Sequence, residues 1–350
     1  MKQNHIIFRC DGGFKIGLGH IVGSLRLAKI LKKELSIIPV FLIKENEKII
    51  DYLKANRIQY SVIPLESSVD SQINIIKKLS EDNKTRTVSF NLHADELKLW
   101  GDRFSHLKEQ GFNIIFQDNP MQSFLFGDIV INALPHPKYP GYELNKHKSC
   151  FDGLEYLLLD ETILKYQNRK RKNEGTVEQI LIAPGGSDHK NITSLLLKIL
   201  ADIQCNAYID VVLGPVSEHI AEIEKLIKGL SLNAHLSYNV LNMPERIWNA
   251  DIGFSTLGLT TYEMAALNLP CFIIAPNKLN AESARIYVKK YSMAMFGGLI
   301  DELSFQKLKS NVISFINDQP LHNRIRNQSV LLKGPVSYNE IIFKIEQLLK

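Results

Sequence analysis

The chain has 350 residues and is short of several features that would fix its class at once. It has four cysteines, Cys10, Cys150, Cys205 and Cys271, none at a paired spacing. That scatter argues against zinc sites and a disulfide framework, and it fits a reducing compartment. No apolar run approaches the ~20 residues that a membrane span needs. The polar N-terminus runs straight into an apolar stretch, so no signal peptide is expected and the expected location is the cytoplasm. Charge of one sign is scarce: 42 Lys and Arg face 37 Asp and Glu, a net charge of +5. This excess suits phosphate-bearing ligands but is far from a nucleic-acid binder's, and no dense basic block alternates with aromatics. The one basic run, Arg169-Lys170-Arg171-Lys172, is flanked by polar residues and reads as solvated linker. No carboxylate pair or His/Cys cluster has metal-ligand spacing, and Asp118 and Asp128 fall on different predicted strands. Neither metal nor cofactor is therefore expected.

What the sequence does have is a strand, a glycine turn and a helix at its start. Ile6-Ile7-Phe8-Arg9-Cys10 reads as a buried strand, Gly17-Leu18-Gly19 as a turn, and Ile21, Leu25, Ala28 and Leu31 as one apolar helical stripe. Such a unit suits anions and polar ligands, because glycines allow close approach and the first helical N–H groups point outward. His20 falls where turn becomes helix, at the mouth of a cleft. Imidazole suits acid–base work near neutral pH, although a histidine there is also an ordinary helix-start residue. Gly-x-Gly-His lacks the third glycine of the dinucleotide fingerprint, and no acidic residue ends a second strand at the usual distance. A Rossmann dehydrogenase is rejected.

Further apolar runs alternate with helical patterns. Strands are predicted at 39–43, 60–63, 87–92, 113–116 and 128–132, with helices at 48–56 and 71–79 and a single helix from Ala94 to Gln110. The stretch 135–142, rich in Pro, His, Tyr and Gly, reads as an irregular loop at a strand's C-terminal end, where open α/β sheets bind ligands. A polar segment, 165–176, reads as the interdomain linker. Gln179-Ile180-Leu181-Ile182-Ala183 opens a second domain and runs into Pro184-Gly185-Gly186-Ser187-Asp188 and a helix from Asn191. Strands follow at 208–213, 234–238, 251–255 and 271–275, with helices at 217–230, 243–250 and 261–267, and the tail from Ser304 is largely helical. The fold class is α/β: two Rossmann-like domains facing a central cleft, 1–164 and 177–335, joined by 165–176, with a C-terminal helix at 336–350.

These motifs resemble a known family. Arg9-x-Asp11, Ile16-Gly17-x-Gly19-His20 and Leu27-Ala28 resemble the start of the UDP-2,4-diacetamido-2,4,6-trideoxy-β-L-altropyranose hydrolases, the UDP-sugar hydrolases of pseudaminic acid biosynthesis. Gly185-Gly186-Ser187-Asp188-x-x-Asn191 resembles their second motif. Asn249-Ala250-Asp251, Ser255 to Glu263 and Leu269-Pro270 resemble their nucleotide-binding region, shared more loosely with the N-acetylglucosaminyltransferase of peptidoglycan synthesis.

The resemblance implies the GT-B fold and a metal-independent, inverting hydrolysis of a UDP-diacetamido-trideoxyhexose, with UDP held mainly by the C-terminal domain. It implies His20 as the catalytic residue and Gly186, Ser187, Leu259, Thr260 and Glu263 along the nucleotide, with Glu263 at the ribose hydroxyls. Asp11 is a candidate to orient His20, a structural role at the strand end being the alternative. Arg9, Gly17, Gly19, Asp188, Asn191, Ser255, Thr256 and Asn280 complete the candidate set. Four places depart from the family pattern: Gly23 for an arginine, Asp160 after Leu158-Leu159 for another, Ala281 after Asn280 for a glutamine, and Asn91-Leu92-His93 for Asp-His-Tyr. The rival readings are a GT-B glycosyltransferase using a UDP-sugar and a non-catalytic nucleotide-sugar-binding protein.

Overall fold

The computed structural model describes residues 4–119, 121–138, 149–167, 169, 175–328, 332 and 338–350. The chain forms two units, Met1–Leu158 with Pro335–Lys350, and Leu159–Gly334. Residues 168 and 170–174 of the expected linker and basic run, 139–142 of the expected loop, and 329–331 and 333–337 of the tail lie outside the described residues.

Among the described residues the first unit holds seven strands, β1 (His5–Cys10), β2 (Ile38–Lys44), β3 (Gln59–Ile63), β4 (Thr87–Asn91), β5 (Asn113–Gln117), β6 (Ile129–Asn132) and β7 (Cys150–Asp152). Its helices are α1 (Gly19–Leu35), α2 (Glu47–Ala55), α3 (Val69–Asp82), α4 (Ala94–Trp100) and α5 (Arg103–Glu109). The strands lie in the order β3-β2-β1-β4-β5-β6-β7, all parallel. Parallel strands covered by helices on both faces must be apolar throughout, and Ile6, Ile7 and Phe8 of β1 are fully buried.

The single helix expected from Ala94 to Gln110 is two helices. Gly101 takes a left-handed φ of 42° and ends α4, and Asp102 precedes α5. The break lets Trp100 and Phe104 both turn inward. Their rings stack at 4.9 Å and pack with Phe90 and Phe116 in the core.

The second unit holds β8 (Gln179–Ile182), β9 (Tyr208–Leu213), β10 (Ala234–Tyr238), β11 (Ile252–Ser255), β12 (Cys271–Ala275) and β13 (Met295–Leu299). Its helices are α6 (Glu161–Gln167), α7 (Ile192–Asp202), α8 (Ile220–Gly229), α9 (Met243–Asn249), α10 (Leu259–Ala266), α11 (Lys278–Tyr291), α12 (Phe305–Asn317) and α13 (Gln319–Gln328). The strand order is β10-β9-β8-β11-β12-β13, again parallel. Phe254, Phe272 and Phe315 anchor its core. The last helix, α14 (Tyr338–Leu349), belongs to the first unit: Tyr338 donates its hydroxyl to the Leu157 carbonyl, and Asn113 donates to the Leu348 carbonyl.

Each sheet reverses its winding once, between β1 and β4 in the first unit and between β8 and β11 in the second. Connections leave such a pair of neighbouring strands in opposite directions, which opens a crevice at their carboxyl ends. Ligands of open α/β sheets bind there.

Candidate active site

At the β1/β4 reversal, the chain leaves Cys10 and closes a tight loop in which Gly13 and Gly17 exchange backbone hydrogen bonds of 2.9 and 2.7 Å. Gly17 has φ 71°, and a Cβ on Gly12 would lie 2.8 Å from Ile49 Cδ1. The loop delivers α1 with no side chain capping its N-terminus and His20 in its first turn. Asn91, the last residue of β4, lies 2.8 Å from His20 Nδ1 through its amide oxygen. The oxygen accepts, so His20 carries its proton on Nδ1 and turns the Nε2 lone pair away from this partner. Burial lowers the His20 pKa; the Asn91 bond opposes this, and His93 nearby adds to it. The neutral imidazole, the form able to accept a proton, is thereby favoured.

The neighbouring strand ends add three titratable groups. His93 follows β4 and caps α4, its Nδ1 accepting from the Asp95 amide at 3.4 Å, and its ring stands edge-on to His20 at 6.1 Å. Asp118 follows β5 with a left-handed φ of 51°, and it accepts from the Leu134 amide at 3.1 Å and from the Ala133 amide. Burial pushes its carboxyl up to about 7. His136 follows β6, and burial, reinforced by the charge of His20, pushes its imidazole down to about 4.

The structure gives Arg9 and Asp11 partners inside the first unit. Arg9 is fully buried, and its guanidinium is spent inside the protein. It donates to Gln72 Oε1 at 3.0 Å and the Cys10 carbonyl at 3.2 Å, and pairs with Asp11 at 2.7 Å and Glu96 at 3.5 Å. Asp11 is held by Arg9 and by the Lys44 amide at 2.9 Å, while the hydrogen bond to His20 Nδ1 comes from Asn91. Burial alone would raise the Asp11 pKa; Arg9 and the Lys44 amide outweigh it and hold the carboxyl below its usual range. Lys44 closes the network on Glu96 at 2.7 Å, leaving two cations against two carboxylates. The departure at Gly23 also has a packing reason: a Cβ there would lie 3.0 Å from Asn91 Nδ2.

At the β8/β11 reversal the two turns are tied by neutral groups. Ser255 donates to the Ala183 carbonyl at 2.7 Å, Thr256 to the Pro184 carbonyl at 2.7 Å, and Thr261 to the Thr256 carbonyl at 2.6 Å. Gly185 takes φ 97°. Gly214, after β9, passes so close that a Cβ would lie 2.5 Å from Gly186 Cα, and the Val216 amide donates to the Gly186 carbonyl. The next helix, α10, starts at Leu259 with no side-chain cap, so the amides of Leu259 and Thr260 stand at an open helix N-terminus. Glu263 lies one turn further on, nearly buried. Asn280 reaches the Leu257 carbonyl at 3.5 Å, which brings α11 to the same turn.

Asp188 is engaged in building α7, and Asn191 ties the start of α7 to α8. Asp188 accepts from the Ile192 amide at 2.8 Å and the Thr193 amide at 3.1 Å, and Asn191 donates to Glu222 at 2.8 Å. Asp160 likewise starts α6, accepting from the Thr162 amide at 2.9 Å. Ala281 is 1% exposed, packed with Ala275 and Leu299. Among the described residues, no group of three or more His, Cys, Asp or Glu is placed to hold a metal ion, and no helix is long and apolar enough to cross a membrane.

Reasoning from the sequence missed Asn91, Asp118, His136 and Gly214 as parts of these sites. The signal for the first three was available in the strand order, since Asn91 ends β4, beside β1, and Asp118 and His136 follow β5 and β6, the next two strands.

No family model matches the chain. A curated relative, the uncharacterized protein MJ1062 of Methanocaldococcus jannaschii, is 30% identical over 293 residues, which cover 81% of this chain and 58% of that one. The chain thus spans little more than half the length of this relative. The spore coat polysaccharide biosynthesis protein SpsG of Bacillus subtilis is 22% identical over 295 residues, covering 81% of this chain and 80% of that protein. Among solved structures, MurG of Acinetobacter baumannii superposes with a TM-score of 0.69 at 14% identity, covering 98% of this chain and 99% of that one. A UDP co-structure of S. aureus MnaA gives a TM-score of 0.63 at 12% identity, covering 99% and 97%. At such identities these structures establish the fold. The chain has the GT-B fold.

Proposed function

We propose that the chain is a UDP-sugar hydrolase acting on an amino sugar, of the kind found in nonulosonic acid biosynthesis. The observation that carries the reading is the His20–Asn91 bond at the β1/β4 reversal, which leaves a neutral imidazole with a lone pair on Nε2. The resemblance to the UDP-diacetamido-trideoxyhexose hydrolases supports it, as do the likeness to SpsG, a polysaccharide biosynthesis protein, and the neighbour solved with UDP.

On this reading the first unit handles the sugar and the second the nucleotide. UDP lies along Gly186, Ser187, Thr256, Leu259 and Thr260, where uncapped amides receive the diphosphate and Glu263 the ribose hydroxyls. His20 Nε2 takes a proton from water as the water oxygen bonds to the anomeric carbon. The bond from that carbon to the diphosphate oxygen breaks, and UDP leaves with the electron pair. The attack comes from the face opposite the leaving group, so configuration inverts. The helix N-termini carry the leaving charge, and full activity is expected in excess chelator. The scattered cysteines favour a cytoplasmic location.

Incubation with a panel of UDP-amino sugars tests the reading. Release of UDP and free sugar without an acceptor is the expected result. Turnover only with a sugar or peptide acceptor makes the protein a glycosyltransferase, and binding without turnover makes it a nucleotide-sugar-binding protein.

A further inference from the structure

The two histidines that face each other in the first unit have their Nδ1 atoms bound to opposite kinds of partner. His20 Nδ1 meets an acceptor, the Asn91 amide oxygen, at 2.8 Å. His93 Nδ1 meets a donor, the Asp95 backbone N–H, at 3.4 Å, with the Asp95 carboxylate next at 3.5 Å. A neutral imidazole has one N–H and one lone pair, so the partner at one nitrogen dictates the state of the other. His20 is left with a lone pair on Nε2 and His93 with a proton on Nε2. The rings lie 6.1 Å apart between centroids and 84° from parallel, and the His93 side chain is 33% exposed, enough to reach a ligand.

We infer that His93 is a hydrogen-bond donor to the sugar, its Nε2–H bound to a hydroxyl or amide carbonyl oxygen of the substrate on which His20 acts as base. The inference rests on the proposed hydrolase reading for the identity of that substrate. It assigns acceptor and donor roles to two imidazoles through their backbone and amide partners. The nucleotide does not enter this contact, so the donor distinguishes a UDP-sugar from UDP.

The helix cap that His93 supplies must be separated from its role as donor. His93→Asn does this, since asparagine caps helices well and lacks the imidazole N–H. The full chain labelled with ¹⁵N-histidine, with His20→Asn and His93→Asn for assignment, is expected to show the Nδ1–H form for His20 and the Nε2–H form for His93 at neutral pH. A His93 ring protonated at Nδ1, paired with the Asp95 carboxylate 3.5 Å away, overturns the inference. Titration with UDP and with each UDP-sugar of the panel gives the second readout. His93→Asn is expected to weaken the UDP-sugar by about tenfold, the scale of one lost hydrogen bond, and to leave UDP unchanged. Equal affinity of wild type and variant for every UDP-sugar bound overturns it. If no UDP-sugar is hydrolysed, the hydrolase reading fails by itself, while tautomer and binding still decide the role of His93.

Discussion

The two winding reversals join neighbouring strands by different chemistry. Between β1 and β4 the bridge is a side chain on a side chain, His20 to Asn91, and an ionised network of buried Arg9 and Asp11 with part-buried Lys44 and Glu96 sits beside it. At the carboxyl ends of β8 and β11 the bridges run from hydroxyls to backbone carbonyls, Ser255 to Ala183 and Thr256 to Pro184. The first arrangement lets a protonation state be set. The second lets a backbone surface be held rigid while its amides stay open at Leu259 and Thr260. A reacting base needs the former, and a diphosphate is served by the latter.

After His20 itself, the largest effect that separates the regions is expected at Asn91. Asn91→Leu removes the group that orients His20, and turnover should fall about 10–100-fold, the usual loss when a supporting hydrogen bond is deleted. UDP affinity, measured in the same preparation, should not move. Asn91→Asp sharpens the point through pH. On the proposed mechanism the neutral His20 is the active form, and its pKa lies below the ordinary 6.5, so wild-type kcat should rise with pH along a limb below that value. A carboxylate against Nδ1 favours the imidazolium and should move the limb to higher pH.

Next in size is Gly214→Ala in the second unit. The added Cβ meets Gly186 Cα at 2.5 Å, backbone that cannot swing aside. Destabilisation of about 1–3 kcal/mol is expected by denaturant unfolding, as for other overpacked sites, together with weaker UDP binding. Gly23→Ala, the counterpart in the first unit, meets the end of the Asn91 side chain at 3.0 Å. A loss of kcat smaller than that of Asn91→Leu is expected, with the melting temperature nearly unchanged.

The smallest effect concerns stability at acid pH. The folded-state pKa values of His136 and His322 are both lowered, chiefly by burial, so folding favours their neutral forms. Their contribution is complete above the unfolded value of 6.5 and is lost as pH falls, towards about 4 for His136. His136→Gln should flatten that part of the stability curve, as read by melting temperature from pH 7 to pH 4.

Much of the fold is legible in the sequence because buried parallel strands are continuous apolar runs; β9 and β10 fall at the positions expected from Tyr208 to Leu213 and from Ala234 to Tyr238. The helix break at Gly101 was lost because the apolar period runs on through it, from Leu97 and Trp100 to Phe104 and Leu107. Neither α11 nor β13 was read: the helix is largely polar, and Met295-Phe296-Gly297-Gly298-Leu299 carries two glycines that disguise a strand. His20 and the glycine turns are local features and could be read directly. Arg9 and Asp11 invited a ligand role because their partners are remote in sequence, Lys44 by 33 residues and Glu96 by 87. Asn91 is 71 residues from the histidine it orients, and only the pairing of β1 with β4 brings it there.

The central claim is that His20 does the chemistry of the first unit without holding the nucleotide. It is tested by measuring kcat on the UDP-amino sugar that the wild type hydrolyses, and UDP affinity by calorimetry, for His20→Ala and wild type together. The expected result is a fall in kcat of about 10²–10⁴-fold, the contribution of a positioned acid–base group, with UDP affinity unchanged. A His20→Ala protein with near-normal kcat, or one that loses UDP binding in step with its activity, would contradict the claim.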